Sequence, residues 1–305
     1  MWWYNNFIIL NFMQNILILL NKYFYHKPVV LRKILENFNL KEVMEAPKDA
    51  FFKLEIAGAT LNKFLKKRHE LSELHPNDPN IKMITILDEE YPGMLKNLYD
   101  APPVLFYKGN LDCLKNNGLA VIGSRKMTEY GRRVGAQFVK GLCADFVIVS
   151  GLAYGIDGLA HKVTVNNNQK TVAILGSGLN NIYPVTNNSL AQEIVDKDGL
   201  LLSEFPPDLG PQPYHFPMRN RIIAGLSRGI LIVEGGKKSG TLITAKLGID
   251  YGADIFAVPN NIYHPNSEGV NYLIKCGAHP VTSANDILEF YGIDKEKQKK
   301  EYITK

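Results

Sequence analysis

The chain has 305 residues, 46% apolar and 21% charged, which suits one large domain plus a smaller one and lies outside the low-hydrophobicity, high-charge regime of disordered chains. Cys113, Cys143 and Cys276 stand far apart with no CxxC pair, which excludes a disulfide scaffold and a cysteine-based zinc module and fits a reducing cytoplasm. The net charge of +5 permits a polyanionic partner without demanding one, so the placement of the basic groups has to decide.

At the N-terminus, Trp2, Trp3, Phe7 to Leu10 and Ile16 to Leu20 form an apolar stretch that Asn5, Asn6, Asn11, Gln14 and Asn15 interrupt. A membrane span needs about 20 predominantly apolar residues. A signal peptide needs a positive start and a small-residue cleavage site. Neither pattern is present, so no targeting segment is expected.

Residues 16 to 75 read as helical. Leu31, Ile34, Leu35 and Phe38 recur at i, i+3, i+4 and i+7, the stripe of a helix packed on one side. A second stretch through Leu61, Phe64, Leu65 and Leu71 carries Lys63, Lys66, Lys67 and Arg68 between its apolar positions. Such a basic face serves either nucleic acid or, more commonly, solvation. The proline-rich turn His75-Pro76-Asn77-Asp78-Pro79-Asn80 marks a boundary. The expected domains are therefore a helical one over 1–78, an α/β one over 79–292 and a charged tail over 293–305.

Short apolar runs at Leu119 to Ile122, Val147 to Val149, Thr171 to Leu175, Leu200 to Leu202, Ile230 to Val233 and Ile255 to Val258 alternate with helical stretches. Strands apolar on both faces and separated by helices predict a doubly wound, mostly parallel sheet covered on both sides. In such a sheet ligands bind at the carboxyl ends of the strands. The loops there are rich in glycine and basic residues: Gly123-Ser124-Arg125-Lys126, Ser150-Gly151 through Gly155-Ile156-Asp157, Gly176-Ser177-Gly178, Arg219-Asn220-Arg221, and Gly235-Gly236-Lys237-Lys238-Ser239-Gly240-Thr241. Glycine lets backbone amides approach a ligand, and helix N-termini attract anions, so these loops predict a phosphate-binding rim.

Nucleotide motifs fail on inspection. Gly176-Ser177-Gly178 has Asn181 where GxGxxG needs its third glycine, and Gly235 to Thr241 does not fit GxxxxGK[ST]. There is no GxSxG and no HExxH. Asp157 and His161, at i and i+4, are either an acid/base or metal-ligand pair or, as more often, a helix-start carboxylate and a packing histidine. Glu234 is either a catalytic carboxylate or an ion-pair partner of an arginine in Arg219-Asn220-Arg221. Residues two apart on a helix diverge by about 200°, so one of Arg219 and Arg221 is expected to meet phosphate and the other to pair internally, with Glu204 or Glu234 as candidate partners. Tyr154 and Tyr183 are candidates for base stacking or for packing. Gly269 to Ile274 reads as a helix whose apolar face serves core packing or self-association.

Six motifs in order carry a resemblance: Val121-Ile122-Gly123-Ser124-Arg125; Ser150-Gly151-Leu152-Ala153-Tyr154-Gly155-Ile156-Asp157 with Ala160-His161; Gly176-Ser177-Gly178-Leu179 with Tyr183-Pro184; Ser203-Glu204; Phe216-Pro217-Met218-Arg219-Asn220-Arg221-Ile222-Ile223-Ala224-Gly225-Leu226-Ser227; and Ser239-Gly240-Thr241-Leu242-Ile243-Thr244-Ala245. Over roughly residues 85 to 290 the chain resembles the DNA-processing protein A (DprA/Smf) family. The resemblance implies an extended Rossmann-like domain preceded by a small sterile-alpha-motif-like helical domain. It also implies single-stranded DNA binding in natural transformation, dimerisation through the Rossmann-like domain, loading of the RecA recombinase, no cofactor, no membrane and no catalysis. It places Arg125 and Arg219-Asn220-Arg221 in a DNA groove, with the glycine loops supplying amides. The chain departs from the family at Val185, where relatives often carry a basic residue, and at Pro259-Asn260-Asn261, where the family has proline-glycine. The alternative class is a hydrolase of nucleotides or nucleoside phosphates, related to the lysine-decarboxylase-like phosphoribohydrolases and using Glu234 or Asp157.

Overall fold

In the computed structural model of the chain, residues 2–69, 78–115, 117–237 and 239–293 are described, with side chains from Phe12 onward. Leu71, the His75-Pro76-Asn77 part of the predicted turn, Lys238 and the tail beyond residue 293 lie outside them. The chain divides into two compact units.

The first unit comprises residues 1–108 with 177–181 and 202–215. It begins with α1 (Trp2–Phe24), α2 (Pro28–Asn37), α3 (Leu40–Glu45), α4 (Lys48–Phe52) and α5 (Ala59–Lys67). Ile16 to Leu20, the apolar run noted above, are all buried, so this part of α1 is a core helix surrounded by its neighbours. Phe64 of α5 meets Phe24 edge-on at 5.6 Å and Phe51 at 6.3 Å. Among the described residues no helix is long and apolar enough to cross a membrane. Asn39 and Glu42 close a capping box at the start of α3, satisfying two otherwise orphaned amides. Then follow β1 (Lys82–Thr85), α6 (Gly93–Lys96) and β2 (Val104–Gly109), with β1 and β2 antiparallel and Lys82 opposite Tyr107.

The remaining elements alternate strand and helix: β3 (Gly118–Ile122), α7 (Glu129–Leu142), β4 (Val147–Ser150), α8 (Ile156–Asn166), β5 (Thr171–Ile174), α9 (Asn188–Asp196), β6 (Leu200–Ser203), α10 (His215–Gly225), β7 (Gly229–Ile232), α11 (Gly240–Asp250), β8 (Asp254–Ala257), α12 (Glu268–Lys275), β9 (His279–Pro280) and α13 (Ala284–Phe290). The protein is α/β, with nine strands among the described residues in a mostly parallel arrangement.

Within the second unit the strands lie in the order β5-β4-β3-β7-β8-β9, all parallel. Alternation along each strand puts helices on both faces. Leu119, Val121, Ile148, Leu231, Val233 and Phe256 share a core with residues of α7, α8 and α13. Gly248 of α11 sits against Ile230 and Ile255, which point the other way. In α12, Val270 and Leu273 are buried, so core packing is the use of that helix face. The chain winds from β3 outward to β5 and later returns to lay β7 on β3's other side. That reversal is a topological switch point, and it opens a crevice at the carboxyl ends of β3 and β7.

Candidate nucleic-acid interface

The loops after β3, β4 and β7 and the start of α10 meet at this edge of the second unit. The amides of Gly151 and Gly123 point not outward but at Asp157 in the first turn of α8, whose Oδ2 accepts from Gly151 at 3.2 Å. This carboxylate, 7% exposed, occupies the nest of amides that an external phosphate would otherwise fill. Burial raises its pKa, against the opposing pull of the Arg219 charge and of the Gly151 and Gly123 amides. Gly155, at φ +75°, brings the loop so close to the β3 turn that a Cβ there would lie 2.1 Å from the Ser124 carbonyl oxygen. Gly176 lies beneath the Phe216 ring and Gly178 against Pro206 and Pro207. These glycines make room for protein groups.

Arg219 and Arg221 are 3% and 4% exposed. The expectation that one of them projects from the rim is therefore corrected. The Arg219 Nη1 donates to the carbonyls of Gly151 and Ile174, and Nε donates to Asn220 Oδ1 at 3.3 Å. A Cβ on Gly151 would stand 2.4 Å from that guanidinium. Burial lowers the pKa of Arg219 to about 10, and the Asp157 carboxylate is the opposite charge that holds it up. The internal partner of Arg219 is thus Asp157 rather than Glu204 or Glu234. The carboxylate of Glu234 turns instead to the start of α7, accepting from Thr128 N at 2.8 Å and from its hydroxyl at 2.7 Å. There it meets the positive end of the helix.

His161 is likewise internal. Thr171 spends its hydroxyl proton on the Ile148 carbonyl at 2.6 Å, so the 2.8 Å contact between them has His161 Nδ1 donating to Thr171 Oγ1. Leu152 N–H donates to Nε2 at 3.3 Å. Both ring nitrogens are satisfied only in the neutral form, and burial, aided by the Arg219 charge, lowers the pKa to about 3. The unfolded histidine takes up a proton below its ordinary pKa of 6.5 while the folded one does not, so this residue removes stability as pH falls from 6.5 towards 3, by up to about 1.4 kcal/mol per unit. Asp157 contributes with the opposite sign, because its folded pKa is raised. We therefore expect that subtracting the pH profile of a His161→Asn variant isolates an acid-sensitive loss of about 2 kcal/mol between pH 7 and pH 5 in denaturant unfolding. Parallel profiles would contradict the assignment.

What remains open to solvent is a smaller constellation. Arg125, Lys126 and Lys237 are exposed. The guanidinium of Arg125 lies 5.1 Å from the centroid of the Phe216 ring, and Tyr183, itself half-exposed, lies 5.5 Å from the same ring at 51°. Ser124, Asn220 and Ser239 are partly exposed and Gly240 is open, whereas Thr241 is buried. Ser239 caps α11, and Asn220 Nδ2 lies 3.9 Å from where a Gly240 Cβ would be. Tyr154 is half-exposed. Among the described residues no cluster of histidine, cysteine and carboxylate side chains could hold a metal. Phe216 was not among the predicted site residues, although an aromatic beside the proline of a helix start at a strand-end crevice was a signal available in the sequence.

Fold and edge together define a Rossmann-like α/β protein whose switch-point loops display basic and aromatic side chains. The chain belongs to the DNA recombination-mediator protein A family, whose model matches residues 82–292. It is 43% identical over 227 residues to DNA processing protein DprA of Streptococcus pneumoniae, covering 74% of this chain and 80% of that protein. The solved structure of DNA processing protein A from Streptococcus pneumoniae matches with a TM-score of 0.76 at 37% identity, over 89% of this chain and 95% of that one. DNA processing protein A from Helicobacter pylori, solved to describe its single-stranded DNA binding mode, gives 0.63 at 29% identity over 69% and 95%.

Proposed function

We propose that this chain binds single-stranded DNA at the switch-point edge of its second unit. The observation that carries the reading is the Arg125 guanidinium lying over Phe216 with the open Tyr183 ring beside it. Every base has a π-face, so an aromatic platform next to fixed cations holds single strands without reading their sequence, whereas paired bases cannot reach it. Arg125, Lys126 and Lys237 take phosphates, with Ser124, Asn220, Ser239 and Gly240 at their margin. Arg219, Arg221, Gly123, Gly151, Gly155, Gly176 and Thr241 shape the edge from beneath. The single-stranded DNA binding described for the Helicobacter pylori relative supports the same ligand.

The wider role follows the family. In the cytoplasm, as a homodimer formed through the Rossmann-like domain, the protein protects strands taken up in natural transformation and helps load the RecA recombinase. Its role is binding rather than catalysis. Asp157 and Glu234, the carboxylates on which a hydrolase reading would depend, are buried against internal partners. Fluorescence anisotropy with a single-stranded and a duplex oligonucleotide at two salt concentrations tests the ligand. Three phosphate-facing cations predict a log–log salt slope near −2, at about −0.7 per phosphate, and a preference for the single strand. Equal binding of the duplex would overturn the reading.

A further inference from the structure

The segment after β8 is one of the places where the sequence departs from the family pattern, and its geometry is unusual. Ile262 and Tyr263 at its tip are 73% and 88% exposed, the two highest values among the exposed large apolar side chains of the described residues. Scattered exposed hydrophobics are ordinary, but the backbone of this tip is held by a chain of hydrogen bonds. Asn271 grips Asn260 at both its amide (3.3 Å) and its carbonyl (3.0 Å). Asn260 Oδ1 accepts from Asn261 N at 2.7 Å, and Asn261 Oδ1 accepts from Tyr263 N at 2.9 Å. The segment is also latched to the loops flanking the switch point. Asn266 Nδ2 donates to the Lys126 carbonyl at 2.9 Å, and the Asn266 carbonyl accepts from Gly235 N at 2.7 Å. At its other end Tyr130 donates to the Pro259 carbonyl at 2.9 Å.

We propose that Tyr263 is a second nucleobase-stacking position, for a base of the same single strand whose phosphates lie on Arg125, Lys126 and Lys237. The inference rests on the single-stranded DNA reading. It adds a site that the glycine and arginine motifs do not contain. The asparagine network fixes the ring's backbone before any ligand arrives, so a stacked base does not have to order the loop. The ring rises from a segment bonded to the Arg125–Lys126 turn, so its ligand is continuous with the cationic edge. The pairing of a cation-held backbone with an open ring fits a single strand better than it fits an apolar partner protein.

The test uses the full chain, poly-dT oligonucleotides and a 2-aminopurine-labelled strand. Tyr263→Ala is expected to weaken binding roughly 5- to 100-fold while leaving the salt slope unchanged, because no phosphate partner is lost. Tyr263→Phe should bind like the parent. One labelled base should be quenched in the parent and not in Tyr263→Ala. Parent-like affinity of Tyr263→Ala alongside a weakened Arg125→Ala would overturn the stacking position and leave the wider reading standing. Loss of a dimer in sedimentation with unchanged DNA affinity would assign the tip to a second copy and equally overturn it. A parent chain that binds no single strand would overturn both.

Discussion

Replacing Arg219 with methionine is expected to cost about 3–5 kcal/mol of folding stability, the range seen when one partner of a buried charge pair is removed. Methionine fills much of the volume, so the loss is electrostatic. Asp157 is left buried without the opposite charge that holds its pKa down, so it either stays charged and unpaired or takes up a proton, and the carbonyls of Gly151 and Ile174 lose their donor. Because Gly151 has no side chain to collapse into the gap, the loop after β4 has little means of repair. The companion variant Asp157→Asn removes the stranded charge, so the double variant should cost less than the sum of the singles. Denaturant unfolding measures both. A single-variant cost below about 1 kcal/mol, or strict additivity, would show that the pair is not the keystone of this edge.

Phe216→Ala is expected to weaken single-strand binding by about 1–3 kcal/mol, or roughly 5- to 150-fold, the worth of one base stacked on an aromatic ring. Arg125→Ala should act differently. It removes a phosphate partner, so affinity falls across all sequences and the salt slope flattens by about 0.7. Phe216→Ala should lower affinity at every salt concentration with the slope unchanged. Because the guanidinium rests on the ring, the two losses should be less than additive. Anisotropy titrations at three salt concentrations separate these outcomes, and parent-like affinity of either folded variant would remove that residue from the interface.

Much of the fold is legible in the residues because its strands are short, apolar throughout and separated by helical periods, a pattern few arrangements other than a covered parallel sheet can bury. The runs at Leu119, Val147, Thr171, Leu200, Ile230 and Ile255 each became a strand within a residue or two. The site is less legible, for a physical reason. A missing Cβ looks the same whether a phosphate or the protein's own side chain needs the space. Gly151 accommodates Arg219 and Gly155 accommodates the Ser124 carbonyl, yet both read as ligand-facing turns.

The arginines show the same limit. Their spacing says that Arg219 and Arg221 diverge, but not that a helix start lying against strand ends buries both. Nor does spacing pair Arg219 with Asp157, since that contact exists only once α8 and α10 converge on the end of β4. Glu234 illustrates the converse: an acid after a strand finds the amide-rich start of α7 before it finds an arginine.

Photo-crosslinking with a 5-iodouracil-substituted single strand locates the bound strand on the protein. After irradiation and peptide mapping, adducts are expected at the rings beside the cationic edge, Phe216 and Tyr183 foremost. Adducts confined to the basic helix around Lys63, Lys66 and Lys67, with those rings unmodified, would contradict that placement of the strand.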